Sequence, residues 1–75
     1  MKQLLEILED IQPGVDYENC TTLIDDGVLD SFAILSIVSE LEEEFDISIT
    51  PVEIIPDNFN SAKALWDMVQ RLKEA

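Results

Sequence analysis

Histidine is absent from these 75 residues, cysteine occurs once, and only four basic residues stand against seventeen acidic ones. Without histidine, the Ser-His-Asp and Cys-His arrangements of nucleophilic catalysis cannot be assembled, and the usual zinc ligand sets are excluded. Cys20 has no partner for an intrachain disulfide, which suits a reducing compartment, so the cytoplasm is the expected location. The residue lies in a connecting region and reads as a small packing side chain rather than a reactive thiol. A net charge of −13 leaves no basic surface for a nucleic-acid backbone. Basic proteins are the expected partners, and like charge favours a monomer. Met1-Lys2-Gln3-Leu4-Leu5-Glu6 lacks the apolar stretch of a signal peptide, and no run approaches a membrane span. The chain therefore reads as one complete domain over residues 1–75 with a small core.

The hydrophobic pattern that is present is helical. Leu4, Leu5, Leu8 and Ile11 make an inward stripe over residues 2–11, ended by Pro13-Gly14. A long loop follows through Asp26, and its Val15, Tyr17, Leu23 and Ile24 are expected to tuck against the helices, since an unanchored loop of this length is unusual in a compact domain. Ile34, Val38, Leu41 and Phe45 fall at helical spacing and predict a second helix over 31–45. Ile47-Ser48-Ile49 alternates like a strand but has no partner strand, so an extended connection is expected. Thr50 and Pro51 open a short third helix, which Pro56-Asp57-Asn58 should break. The last helix begins at Asn60 or Ser61, with Ala62, Leu65, Trp66, Val69 and Leu72 inward and Arg71 and Lys73 complementing its negative end. The expected fold is all-α, a small four-helix bundle of three main helices and one short one.

One stretch carries a possible chemistry. Gly27-Val28-Leu29-Asp30-Ser31-Phe32 is a turn that delivers Ser31 to the start of the second helix, where unpaired backbone N–H groups and the helix dipole favour a phosphate. Helix capping is the plain explanation of Asp30-Ser31, as both residue types are good caps. Asp25, Asp26 and Asp30 lack the alternating ligands and closing glutamate of a calcium loop, so they read as a solvated turn. Independent acid-base catalysis by carboxylates needs a cleft that a bundle of this size rarely encloses. Glu40, Glu42, Glu43 and Glu44 crowd the C-terminal end of the second helix, where the macrodipole disfavours negative charge. They read either as a solvated face or as a docking surface.

Asp30-Ser31-Phe32 followed by Leu41-Glu42-Glu43-Glu44-Phe45-Asp46 resembles the phosphopantetheine-binding carriers of the acyl carrier protein family, whose signature at this place is Asp-Ser-Leu. The resemblance runs from about Leu4 to Leu72. It implies that the chain is no enzyme itself but a substrate of a phosphopantetheinyl transferase, with 4′-phosphopantetheine joined to Ser31. It implies further that the arm's thiol carries an acyl or aminoacyl group as a thioester, loaded by an adenylating or acyl-loading ligase and passed to downstream transferases. Asp30 would repel the new phosphodiester, so recognition rather than stability accounts for it. Glu42 and Glu43 match acidic positions that such carriers present to basic enzyme pockets. Phe32 is expected to point inward as the family's leucine does, with an exposed docking contact as the alternative. Ile54 and Phe59 are expected to close the bundle near Ser31, where the arm and cargo lie.

Carriers of fatty-acid synthesis place acids on the exposed face after the serine, where this chain has Ala33 and Ser36. The Gly27 to Phe32 run and the Asn58-Phe59-Asn60-Ser61 connection look more like D-alanyl carriers and freestanding peptidyl carriers. An acidic helical adaptor that binds a basic partner without a prosthetic group is the competing expectation. Self-repulsion among the carboxylates predicts that added salt or a divalent cation raises the melting temperature. A melting temperature indifferent to both would mean that the acids are compensated locally.

Overall fold

The computed structural model describes Met1 to Glu74 and contains four α-helices: α1 (Lys2–Ile11), α2 (Ser31–Phe45), α3 (Pro56–Phe59) and α4 (Ala62–Glu74). A 3-10 turn spans Pro51–Glu53. Helices α1, α2 and α4 pack on one another, and α3 lies against α4. No strand is present among the described residues, and Ile47 to Thr50 form the expected extended connection. Among the same residues no helix is long and apolar enough to cross a membrane.

Each long helix presents one apolar side inward. Leu4 and Leu8 of α1 are fully buried, as are Ile37 and Leu41 of α2 and Leu65 and Val69 of α4. Leu5, Ile11, Trp66 and Leu72 are half-buried and pack around this centre, while Met68, absent from the expected stripe, is buried. The deepest line on α2 runs through Ala33, Ile37 and Leu41, so Ile34, Val38 and Phe45 flank it instead of forming its middle. Phe45 meets Trp66 edge to face at 6.0 Å and 77°, joining α2 to α4, and Lys73 Nζ sits 5.7 Å from the Phe45 ring.

The loop between α1 and α2 is part of the core. Leu23 is completely buried, and Tyr17 and Leu29 nearly so. The Tyr17 hydroxyl donates to the carbonyl of Gln12 and is shared at 3.2 Å with that of Leu8, which also accepts from the Gln12 N–H at 2.8 Å, so it ties down the C-terminal end of α1. Burial, with the charges of Glu9 and Cys20 adding to it, raises the Tyr17 pKa. Cys20 is half-buried against the core, as a packing residue should be.

The connection between α2 and α4 departs from expectation. Pro56 does not break a third helix; it opens one, at the first helical position that proline favours, while Pro51 begins only the 3-10 turn. Thr50 makes no side-chain cap. Helix α4 starts at Ala62 because Ser61 serves as its cap, Ser61 Oγ accepting from the Ala64 N–H at 3.0 Å.

The 3-10 turn is tied to α4 by Glu53. Its carboxylate accepts from Arg71 Nη2 at 2.6 Å and Nη1 at 3.1 Å, and Asn58 Nδ2 donates to the Glu53 carbonyl at 2.7 Å. The bonds from Arg71 hold the Glu53 carboxyl below its ordinary value of 4.5 and push the Arg71 pKa up. A depressed folded-state pKa contributes stability above the unfolded value and loses it as pH falls through the folded one. Glu53→Gln should therefore melt below the wild type near neutral pH, and the gap should close as pH drops below 4.5. A gap that persists in acid would show that the pairing with Arg71 is not its source.

Candidate functional site

The site is assembled by the turn that leads into α2. Gly27 adopts φ +70°, a left-handed conformation that glycine takes without strain, and its N–H donates to the Ile24 carbonyl at 3.0 Å. The Leu29 N–H donates to the Leu23 carbonyl at 2.9 Å, closing the turn over the buried Leu23 and Leu29 side chains. Asp30 then takes an extended conformation as the N-cap, and its Oδ1 accepts from the Ala33 N–H at 2.8 Å. Its carbonyl accepts the first helical bond, from Ile34 N–H at 2.9 Å.

Ser31 is thus the first helical residue, and it is exposed. Asp30 satisfies the third orphan N–H of the helix, which leaves those of Ser31 and Phe32 without an acceptor among the described residues. An exposed hydroxyl beside two free N–H groups at the positive end of a fifteen-residue helix is chemically suited to carrying a phosphodiester. Asp30 therefore caps α2, the plain explanation of the Asp30-Ser31 pair, and has a role in stability that its resemblance to a recognition motif does not require.

Phe32 does not point inward. It is 80 % exposed, because the buried line through Ala33, Ile37 and Leu41 puts Phe32 on the opposite side of a 3.6-residue helix. Leu35, one turn on, is 62 % exposed on the same outer face. Ala33 is buried, so Ser36, not Ala33, belongs to the face that follows the serine. Ile54 and Phe59 do meet near the head of α2. With Ile24, Ile34, Ile55 and Pro56 they line an open apolar cavity of ≈ 70 Å³. Ile34 lies one turn along α2 from Ser31.

The acidic residues divide. Glu43 is exposed on α2, whereas Glu42 is half-buried and its Oε2 accepts from the Ile49 N–H at 2.8 Å, pinning the extended connection. Glu44 accepts from Gln3 Nε2 at 3.1 Å. Around the turn, Asp25 accepts from Asn60 Nδ2 at 3.2 Å and Asp26 from the Thr22 hydroxyl, so each carboxylate there is engaged by the chain itself. No cluster of three or more His, Cys, Asp or Glu able to hold a metal occurs among the described residues. Asn60, read from the sequence as a start of the last helix and as part of the Asn58-Phe59-Asn60-Ser61 connection, binds the loop instead; that role exists only once residues remote in the chain are brought together.

No protein-family model matches the chain. It is similar to proteins named D-alanyl carrier protein in several bacteria. Identity to that of Streptococcus sanguinis is 34% and to that of Streptococcus mutans serotype c 32%, each over 91% of this chain and 81% of the relative. Identity to that of Lactococcus lactis subsp. lactis is 29%, over 97% of this chain and 95% of the relative.

The capping bond predicts that Asp30→Ala lowers stability by about 1 kcal/mol, while Asp30→Asn or Asp30→Ser keeps most of it. Chemical denaturation of the three variants measures this directly. An unchanged Asp30→Ala midpoint would remove the cap from the account.

Proposed function

The chain belongs to the carrier protein family of the acyl carrier type, and on that footing we propose that it is a single carrier domain whose Ser31 hydroxyl accepts 4′-phosphopantetheine. The observation that carries this reading is the exposed Ser31 at the first position of α2, beside the free N–H groups of Ser31 and Phe32. A phosphodiester there gains roughly 0.3–1 kcal/mol from the helix terminus.

In the attachment step Ser31 Oγ forms a bond to the phosphorus that bears the pantetheine half of coenzyme A. The pyrophosphate P–O bond breaks, and the nucleotide half leaves with the electron pair. The serine proton passes to a base on the transferase, since this chain has no histidine and the Asp30 carboxylate is occupied by the Ala33 N–H. Once attached, the arm supplies a thiol that holds an acyl or aminoacyl group as a thioester. The names of the relatives favour D-alanine as that group. The carrier itself does no catalysis, and its place is the cytoplasm.

Recognition falls to the outer face of α2. Phe32 and Leu35 offer apolar contact next to Ser31, and Glu43 offers charge farther along, to a transferase, an adenylating ligase and downstream transferases with basic docking surfaces. Glu42 contributes less, because holding Ile49 occupies it.

Incubation with coenzyme A and a broad-specificity phosphopantetheinyl transferase, followed by intact-protein mass spectrometry, tests the reading. Wild type should gain one phosphopantetheine and Ser31→Ala none, with the variant's stability within about 0.5 kcal/mol because the side chain is exposed. A folded wild type that stays unmodified with two different transferases would favour an acidic adaptor without a prosthetic group.

A further inference from the structure

Asn60 lies at the end of α3, where its N–H donates to the Pro56 carbonyl at 2.9 Å. Its other polar groups turn to the loop that precedes Ser31. The Asn60 carbonyl accepts from the Leu23 N–H at 2.9 Å, and its Oδ1 accepts from the N–H groups of Ile24 at 2.9 Å and Asp25 at 3.1 Å. Its Nδ2 donates to Asp25 Oδ2 at 3.2 Å. Three consecutive backbone N–H groups are therefore held by one residue more than thirty positions away.

The hold is transmitted toward the serine. Leu23, fixed through its N–H, accepts at its carbonyl from the N–H of Leu29, and Leu29 is followed directly by the cap Asp30 and by Ser31. Ile24, fixed by the Asn60 side chain, accepts in turn from Gly27 N–H. Both sides of the turn are thus anchored to the end of α3 through Asn60. We infer that Asn60 is a positioning residue for the modification of Ser31, holding the turn in the geometry that the transferase engages. This rests on the reading of Ser31 as the attachment site.

The residue type fits the task closely. An amide supplies both an acceptor for two N–H groups and a donor for Asp25 at this reach. Alanine supplies neither. Aspartate keeps the acceptor but sets two carboxylates where the 3.2 Å bond now stands. Exchanging the pair, Asp25→Asn with Asn60→Asp, restores donor and acceptor with unchanged net charge.

The test measures phosphopantetheine transfer from coenzyme A by intact mass, over a range of carrier concentrations, well below each variant's melting transition. Amide hydrogen exchange is measured on the same unmodified proteins. Because small misplacements of a reacting group are costly, Asn60→Ala should lower kcat about tenfold with KM within about twofold. Exchange at Ile24 and Asp25 should quicken while Leu65 and Val69 in α4 stay protected. The exchanged pair should recover both the rate and the protection that Asn60→Asp loses. Normal kcat in Asn60→Ala, unaltered exchange at Ile24 and Asp25, or no recovery in the exchanged pair would each overturn the inference. A wild type that is never loaded would instead overturn the attachment reading itself, a result distinct from a variant loaded as fast as wild type.

Discussion

Three long helices in 75 residues cannot seal a core on their own, and the loop between α1 and α2 has to supply what they lack. Leu23 fills the centre with no residual exposure, Leu29 follows it in, and Tyr17 turns its hydroxyl to the end of α1. Burial of these side chains makes an irregular segment a rigid one, since moving it would return apolar surface to water. Ser31 inherits that rigidity. It stands on the surface, yet the residues that lead to it are fixed from beneath by packing and from the side by Asn60.

Charge is distributed with a different logic from packing. The excess of carboxylates works against compactness, and those at the C-terminal end of α2 oppose its dipole as well. Several are offset locally: Glu42 by the Ile49 N–H, Glu53 by Arg71, Asp30 by the orphan N–H of Ala33. What remains uncompensated, with Phe32 and Leu35 beside Ser31, is a surface whose chemistry favours basic partners with an apolar contact near the serine. In the proposed role, which has the carrier meet several enzymes in turn, such a surface matters more than a cleft.

Much of this was legible from residue spacing. The bounds of α1 and α2 follow from Leu4 and Leu8, from Ile34, Val38, Leu41 and Phe45, and from Pro13, Gly14 and Gly27, although the deepest line of α2 passes through Ala33 and Ile37 beside that stripe. Pro51 and Pro56 were assigned the wrong way round, since proline both stops and starts helices; Pro56 opens α3, and the Glu53 that ends the 3-10 turn is held by nearby Asn58 and by Arg71 of α4. Phe32 was misplaced because its hydrophobicity argues for burial, while the phase of α2, set by Ala33, Ile37 and Leu41, puts it in water. An apolar side chain that breaks the burial rule next to an exposed serine fits the proposed role of that face in docking. The clamp that Asn60 makes was not legible, as a side-chain contact between remote segments has no period.

In the proposed role Ser31 bears phosphopantetheine in the living cell. The most direct measurement is top-down mass spectrometry of the protein isolated from its own cells, with fragmentation between Leu29 and Ala33. A phosphopantetheine increment that appears only in fragments containing Ser31 is the predicted result. An unmodified protein, or an increment on fragments lacking Ser31, would contradict the account.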